Sequence, residues 1–215
     1  MSSKEKEVFY KVSNTYSTLN SITSKTKNIW IVFHGIGYLS RYFLKYFDEL
    51  NSDENYIIAA QAQSKYYLGS KYKHVGACWL TKENTVIETQ NAMRYIDEVL
   101  KSENLPSNLN YIFLGYSQGV SIAMRYLVHK RIKCDHLVLM SGGIPKELEG
   151  EELSHIRKNS RVSLYIGSDD EYLSEERLQY ELKRYKELFG NSAKVITFQG
   201  RHEFKKENLL EILLE

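Results

Sequence analysis

Five residues in the middle of the chain, Gly115-Tyr116-Ser117-Gln118-Gly119, have the Gly-x-Ser-x-Gly spacing typical of a serine nucleophile. The apolar run YIFL before them is typical of a buried strand, and VSIAMRYLV after them has helical spacing. A serine on so sharp a strand-to-helix turn is strained, and glycine two residues away on either side avoids a collision. The helix amides then face the space in front of the hydroxyl, where an oxyanion would develop. An ordinary loop can carry the same pentapeptide, but the flanking strand and helix favour a nucleophile.

A serine nucleophile needs a base, and the base needs an acid that orients it. In a parallel sheet such groups gather at the carboxyl ends of the strands. Of six histidines, His34 and His202 directly follow predicted strands, and His202 follows the last one, where the chain order Ser, acid, His places the base. Asp169 and Asp170 follow the strand predicted at 161–167 and are the acids that fit well. Position alone does not decide between them, and both could simply cap the next helix.

The oxyanion formed in such a reaction needs two main-chain N–H donors. Gln118, directly after the serine, supplies the first, and a loop after an early strand supplies the second. That loop is His34-Gly35-Ile36-Gly37, in which Ile36 is the expected donor because its flanking glycines allow close approach. The alternative for this loop is a phosphate-binding turn, but it lacks the fuller glycine pattern and a Lys-Ser/Thr pair.

Strand-like and helix-like stretches alternate along the chain, which predicts an α/β fold with a mostly parallel sheet, helices on both faces and no large lid. Three polar residues are candidate helix N-caps, namely Ser40, Thr85 and Ser174. The helix predicted from Thr85 has an apolar face. The strands are predicted at 28–33, 56–60, 111–114, 136–140, 161–167 and 194–198, and the face of the Thr85 helix comprises Val86, Ala92, Met93, Ile96 and Leu100.

Two stretches are less regular. Residues 7–20 alternate apolar and polar positions at Val8, Tyr10 and Val12, which predicts one or two antiparallel edge strands. Residues 61–83 have no clear period and are predicted to form a long, ordered, aromatic-rich loop.

Composition limits the classes of function. The chain has 215 residues, of which 42% are hydrophobic and 26% are charged. We therefore expect residues 1–215 to form one domain without a membrane span. The net charge of +2 provides no global field for nucleic acid, although the run KYYLGSKYKH could attract an anion. Cys78 and Cys134 are too few for a disulfide framework and show no metal-ligand spacing. MSSKEKEVFY carries no hydrophobic signal core, which predicts a cytoplasmic protein.

Four motifs together, HGIG, GYSQG, GSDDEYL and GRHEF, resemble the phospholipase/carboxylesterase family of α/β-hydrolases, which includes the acyl-protein thioesterases. The similarity runs from about Trp30 to the end of the sequence. It implies an α/β-hydrolase fold with a triad of Ser117, His202 and Asp170, because the family acid stands third after a glycine, here Gly167. This favours Asp170 over its neighbour.

The resemblance also implies Ile36 and Gln118 as the oxyanion donors, and Trp79 is similar to a tryptophan near the family's active site. The chain departs from the family in two places. Tyr38 stands where an Asp is common, and the stretch 61–83 is rich in Tyr and Lys.

The expected activity is hydrolysis of carboxylic esters or thioesters through an acyl-enzyme, without a cofactor. The expected partners are small esters or acyl groups presented on a larger molecule. Acyl transfer to another acceptor and a non-catalytic binding protein on the same scaffold are alternatives. The physiological substrate and the oligomeric state are left open by the sequence.

Overall fold

The computed structural model describes residues 3–190 and 193–214. Nine strands occur in these residues, in two sheets. They are β1 (Tyr16–Leu19), β2 (Asn28–Phe33), β3 (Asn55–Ala60), β4 (Ser64–Leu68), β5 (His74–Cys78), β6 (Asn110–Tyr116), β7 (His136–Met140), β8 (Arg161–Gly167) and β9 (Ala193–Phe198).

The larger sheet has seven strands in the order β1-β3-β2-β6-β7-β8-β9. All neighbours pair in parallel except β1, which runs antiparallel to β3. The chain moves from β2 outward to β3 and then returns to β6 on the other side of β2. The strand order therefore reverses between β2 and β6, and ligands of open α/β sheets bind at such a point.

Helices cover both faces of this sheet, which explains why its inner strands are continuously apolar. In β2, Ile29, Ile31 and Phe33 join one buried cluster, while Trp30 and Val32 join another on the opposite face. The helices are α1 (Ser40–Phe43), a 3₁₀ turn (Leu44–Phe47), α2 (Thr85–Glu103), α3 (Gln118–Lys130), α4 (Ser154–Asn159), α5 (Glu175–Phe189) and α6 (Glu207–Leu214). The first cluster contains residues of α2, α3, α4 and α5, and the second contains residues of α1, the 3₁₀ turn and α6.

The predicted α/β fold with a mostly parallel, two-sided sheet is confirmed. Ser174 caps α5 as predicted, because its Oγ accepts a hydrogen bond from the Arg177 amide at 3.3 Å. The predicted caps Ser40 and Thr85 are wrong, since both are the first residues of their helices. Val86 also departs from its predicted apolar face and is exposed, whereas Ala92, Met93 and Ile96 are buried.

The prediction of an irregular loop at 61–83 is wrong, because β4 and β5 form an antiparallel hairpin there. The side chains of β4 are all exposed, so its sequence lacks the apolar alternation that marks a strand buried on one face. The predicted strands at 7–20 shrink to β1, whose first residue, Tyr16, pairs with the last residue of β3, Ala60. Within the described part of the chain, no strand pairs with the residues that precede Tyr16. Among the described helices, none has the length and apolarity needed to cross a membrane.

Candidate active site

Ser117 lies on the turn between β6 and α3, at the carboxyl edge of the seven-stranded sheet. Its φ of +52° and ψ of −119° are strained for a residue with a side chain. Its amide donates to the Met140 carbonyl oxygen at 2.9 Å, which fixes the turn against the end of β7. A Cβ on Gly115 would lie 2.5 Å from the Gly119 carbonyl oxygen, and one on Gly119 would overlap the Phe33 carbonyl oxygen. Both glycines are therefore required by close backbone approach, as the spacing predicts.

Three predicted site residues meet at this edge in a continuous hydrogen-bonded line. The Ser117 Oγ lies 2.8 Å from His202 Nε2, and His202 Nδ1 lies 2.8 Å from Asp170 Oδ2. A carboxylate only accepts hydrogen bonds, so Nδ1 carries the proton toward Asp170 and Nε2 is free to accept from the serine. The second Asp170 oxygen accepts from the Tyr172 amide at 3.0 Å. This arrangement can transfer the serine proton to the imidazole during an attack on a carbonyl.

The carboxylate of Asp169, the neighbour of Asp170, is not part of the hydrogen-bonded line from Ser117 through His202 to Asp170. Asp169 is exposed and accepts a hydrogen bond from the Ser168 hydroxyl, whereas Asp170 is buried. The loop that carries them is tied to the loop that carries His202, because Asp169 N donates to the Gly200 carbonyl oxygen at 2.9 Å. The two loops are thus held in register beyond the ends of β8 and β9.

Three residues that sequence reasoning missed also hold His202. The Glu171 Oε2 accepts from the His202 amide at 3.1 Å, and the Tyr116 hydroxyl donates to the His202 carbonyl oxygen at 3.1 Å. The ring of Tyr172 contacts the imidazole edge to face, with centroids 4.7 Å apart. Hydrogen bonds from its own amide and from that of His202 lower the pKa of the exposed Glu171 carboxyl. Two features of the sequence could have indicated these residues. Glu171 is an acidic residue directly after Asp170, and Tyr116 directly precedes the nucleophile.

The loop predicted to supply the second oxyanion donor lies against the nucleophile. A Cβ built on Gly35 would approach the Ser117 Cβ to 3.1 Å, so the main chain just before Ile36 passes beside the serine. Within the described residues, neither the Ile36 amide nor the Gln118 amide donates a backbone hydrogen bond. Gln118 is the first residue of α3, where amides have no intrahelical acceptor. Both N–H groups are available for a ligand beside Ser117.

The β4–β5 hairpin holds this loop in place through main-chain contacts. Gly37 N donates to the Ala77 carbonyl oxygen at 2.9 Å, and Ala77 N donates to the Tyr38 carbonyl oxygen at 3.1 Å. A Cβ on Gly76 would come within 2.5 Å of the Gly37 carbonyl oxygen. The hairpin therefore packs backbone to backbone on the loop, and only glycine fits at position 76.

Trp79 lies near the candidate site, where its amide donates to the Gln118 side chain at 2.8 Å. Its side chain is only 1% exposed, so it presents almost no surface to a substrate in this conformation, and the substrate contact that the resemblance implies stays a prediction. Its indole N–H donates to the His34 carbonyl oxygen at 2.9 Å, and its ring packs on Phe33 and His34. Trp79 thus packs against the start of the loop that carries Ile36 and supports it.

His34, the other histidine that follows a strand, is buried and already engaged on both nitrogens. Its Nε2 accepts from the Ala62 amide at 3.2 Å, so its Nδ1 carries the proton and donates to the Gly35 carbonyl oxygen at 2.7 Å. Burial lowers its pKa to about 4. His34 is therefore a neutral structural group and not a base for Ser117. Within residues 3–190 and 193–214, no cluster of His, Cys, Asp or Glu could hold a metal ion.

Comparison with known proteins identifies a family for this chain. A family model described as serine hydrolase (FSH1) matches residues 45–208, a range that includes Ser117, Asp170 and His202. No curated protein matches the sequence.

Similar solved structures include acyl-protein thioesterase 2 of Zea mays, with a TM-score of 0.68, 15% identity, and coverage of 92% of this chain and 95% of that one. They also include a phospholipase/carboxylesterase of Dyadobacter fermentans, with a TM-score of 0.63, 19% identity, and coverage of 95% and 99%. A third is esterase PE8, with a TM-score of 0.64, 18% identity, and coverage of 91% and 97%. These matches confirm the α/β-hydrolase fold. The family model confirms the resemblance to serine hydrolases that was drawn from the four motifs.

Proposed function

The chain belongs to the FSH1 serine hydrolase family, and we propose that it hydrolyses carboxylic esters or thioesters through an acyl-enzyme on Ser117. The observation that carries this proposal is the line of two 2.8 Å contacts from Ser117 Oγ through His202 to Asp170. A nucleophile, a base and an orienting acid at these separations are what acyl transfer to serine requires.

In the proposed reaction, Ser117 Oγ attacks the carbonyl carbon while His202 Nε2 takes the hydroxyl proton. Asp170 holds the imidazole and stabilises its charged form. The negative charge that develops on the carbonyl oxygen is bound by the Ile36 and Gln118 amides, with the α3 dipole adding to the field. His202 then protonates the departing alcohol or thiol, and water, activated by the same histidine, releases the acid from Ser117.

The substrate class rests on the openness of the site and on the relatives. Ile36, close to the serine, is 52% exposed, and the described residues include no large inserted lid. An open site favours small esters or acyl groups presented on a larger molecule. The acyl-protein thioesterase and the esterase among the similar structures support both the thioester and the ester as candidate bonds.

The test uses a fluorophosphonate probe together with hydrolysis of p-nitrophenyl acetate. The wild-type protein should be labelled and active. Ser117→Ala should lose both labelling and activity, while its melting temperature stays close to that of the wild type. The matched control is Ser168→Ala, which replaces an exposed serine on the loop that carries Asp170. This variant should remain labelled and active. Labelling or turnover that persists in Ser117→Ala would refute the assignment.

A further inference from the structure

His202 lies on a loop after β9 that is neither helix nor strand, so no ladder of main-chain hydrogen bonds fixes its position. Among the described residues, no main-chain amide donates to its carbonyl oxygen. That oxygen accepts from the Tyr116 hydroxyl at 3.1 Å, and the His202 amide donates to the Glu171 carboxylate at 3.1 Å. Tyr116 directly precedes Ser117, and Glu171 directly follows Asp170. The main chain of the histidine is therefore held by side chains from the turn of the nucleophile and the loop of the acid.

Tyr116 also contacts the loop that carries Ile36. A Cβ built on Gly35 would approach the Tyr116 ring to 3.0 Å, so the main chain of that loop lies directly against the ring. The same ring packs on the imidazole of His202, with centroids 5.8 Å apart. Tyr116 is buried, and burial raises the pKa of its hydroxyl, which therefore keeps the proton that it donates. One side chain next to Ser117 thus touches both the loop of the proposed oxyanion donor and the loop of the base.

Aromatic neighbours fix the orientation of the Tyr116 ring. Tyr38, which stands where the family commonly has an Asp, meets this ring edge to face with centroids 5.9 Å apart. The hydroxyl of Tyr38 lies 3.1 Å from that of Tyr46, which holds Tyr38 in turn. Phe204, from the loop that carries His202, packs edge to face on the Tyr116 ring at 5.5 Å. Aromatic pairs in this geometry attract each other, so the ring has a defined orientation.

We propose that Tyr116 is the positioning residue of this site: it fixes His202 and the loop that carries Ile36 relative to Ser117, and Tyr38 holds its ring in the required orientation. The inference rests on the proposed function. Proton transfer needs His202 Nε2 within hydrogen-bond reach of the serine hydroxyl, a separation of 2.8 Å in this structure. Removal of the Tyr116 hydroxyl releases the main chain of His202, so the imidazole shifts while the Ser117 turn keeps its shape.

The test compares Tyr116→Phe with Tyr126→Phe in steady-state kinetics on p-nitrophenyl acetate. Each substitution removes one hydroxyl from a buried tyrosine, and the Tyr126 hydroxyl donates to Asp97 at 3.0 Å, between α3 and α2. Tyr116→Phe should lower kcat about tenfold, the effect of one hydrogen bond, and leave KM within about twofold of wild type. Tyr126→Phe loses a charge-assisted hydrogen bond and should be destabilised at least as much, yet it should keep the wild-type kcat.

Proton NMR provides a readout that does not depend on turnover. The proton between His202 Nδ1 and Asp170 should give a resonance at low field in the wild-type protein. Tyr116→Phe should shift or broaden this resonance, because the imidazole moves relative to the carboxylate. Tyr126→Phe should leave it unchanged, since a loss of stability alone does not move His202.

Tyr38 is tested by a pair of substitutions at one position. Tyr38→Leu removes the ring that supports Tyr116 and should lower kcat about threefold, whereas Tyr38→Phe keeps the ring and should restore most of the activity. In the Tyr116→Phe background, Tyr38→Leu should have little further effect, because both residues act on the same contact with His202.

A wild-type kcat or an unchanged low-field resonance in Tyr116→Phe would overturn the inference. Equal losses of kcat in Tyr116→Phe and Tyr126→Phe would also overturn it, because they would reflect stability and not position. A wild-type protein that fails to hydrolyse p-nitrophenyl acetate would instead refute the proposed function. The low-field resonance would then still report whether Tyr116 positions His202.

Discussion

The side-chain oxygen of Gln118 accepts a hydrogen bond from the Trp79 amide at 2.8 Å. The side-chain nitrogen of Gln118 donates to the Leu80 carbonyl oxygen at 2.6 Å, so one side chain is fully bonded to the segment after β5. That segment continues from Ala77, which pairs with Gly37 and Tyr38 on the loop that carries Ile36. Gln118 therefore connects the two proposed oxyanion donors: it supplies one through its main chain and, through its side chain, holds the hairpin that positions the other.

Gln118→Ala should lower kcat while leaving KM nearly unchanged, because it keeps the main-chain amide but releases the hairpin from the nucleophile turn. A misplacement of about 1 Å in the oxyanion site can lower kcat on the order of 10²-fold. The measurement is steady-state kinetics on p-nitrophenyl acetate, with the affinity for a trifluoromethyl ketone, which binds as a tetrahedral adduct. Both kcat/KM and this affinity should fall in parallel. Gln179→Ala, on the exposed face of α5, is the control, and an unchanged inhibitor affinity in Gln118→Ala would reject the positioning role.

Gly76→Ala tests the hairpin from the other side. The added Cβ would lie 2.5 Å from the Gly37 carbonyl oxygen, which is main chain and cannot rotate away. We expect a loss of at least tenfold in kcat/KM, because the loop carrying Ile36 must shift, and a decrease of about 1–3 kcal/mol in the free energy of unfolding. Urea denaturation and steady-state kinetics measure the two effects. Gly150→Ala, whose nearest contact would be an ordinary 3.4 Å, should behave like wild type, and equal activity in both variants would disprove the constraint.

The sheet and the hydrogen-bonded residues Ser117, His202 and Asp170 could be predicted from the sequence, because both depend on local patterns. Continuous apolar runs mark strands covered on two faces, and Ser117 and Asp170 each follow such a run. His202 follows β9, a part-exposed edge strand that the sequence marks only as the last one. In a parallel sheet, residues after neighbouring strands meet at one edge, so position along the chain is enough to bring them together. The choice of Asp170 over Asp169 needed the family pattern, because both residues follow the same strand.

What the sequence does not reveal depends on contacts between distant segments. The burial of Trp79 and the second role of Gln118 follow from a hydrogen bond across 39 residues, which no local pattern encodes. The hairpin was missed because β4 is exposed throughout and gives no apolar alternation.

Asp170→Asn and Asp169→Asn form a matched pair of adjacent substitutions. An asparagine at 170 can donate a hydrogen bond to His202 Nδ1 and so favour the imidazole tautomer whose Nε2 cannot accept the serine proton. We expect kcat to fall roughly 10³–10⁴-fold for Asp170→Asn, and less than threefold for Asp169→Asn, whose exposed carboxylate accepts a hydrogen bond from the Ser168 hydroxyl. Both variants should unfold like wild type by circular dichroism. Comparable losses in the two variants would contradict the assignment of Asp170 as the orienting acid.

The stability of the fold should depend on pH through His34, whose pKa is lowered by burial from 6.5 to about 4. The unfolded chain takes up a proton at this residue near pH 6.5, whereas the folded chain resists it until about pH 4. The stabilisation is therefore fully present above pH 6.5, and it declines as the pH falls toward 4, by roughly 3 kcal/mol in total. Protonation would also remove the acceptor for the Ala62 amide, loosening the loop next to Ser117. Urea unfolding between pH 4 and pH 7.5 measures this decline in the free energy of unfolding.

His34→Gln should be less stable than wild type at pH 7, because packing is lost, but its free energy of unfolding should decline less steeply toward pH 4. His74→Gln, an exposed substitution on the hairpin, is the control, and a His34→Gln profile parallel to that of wild type would show that another group is responsible.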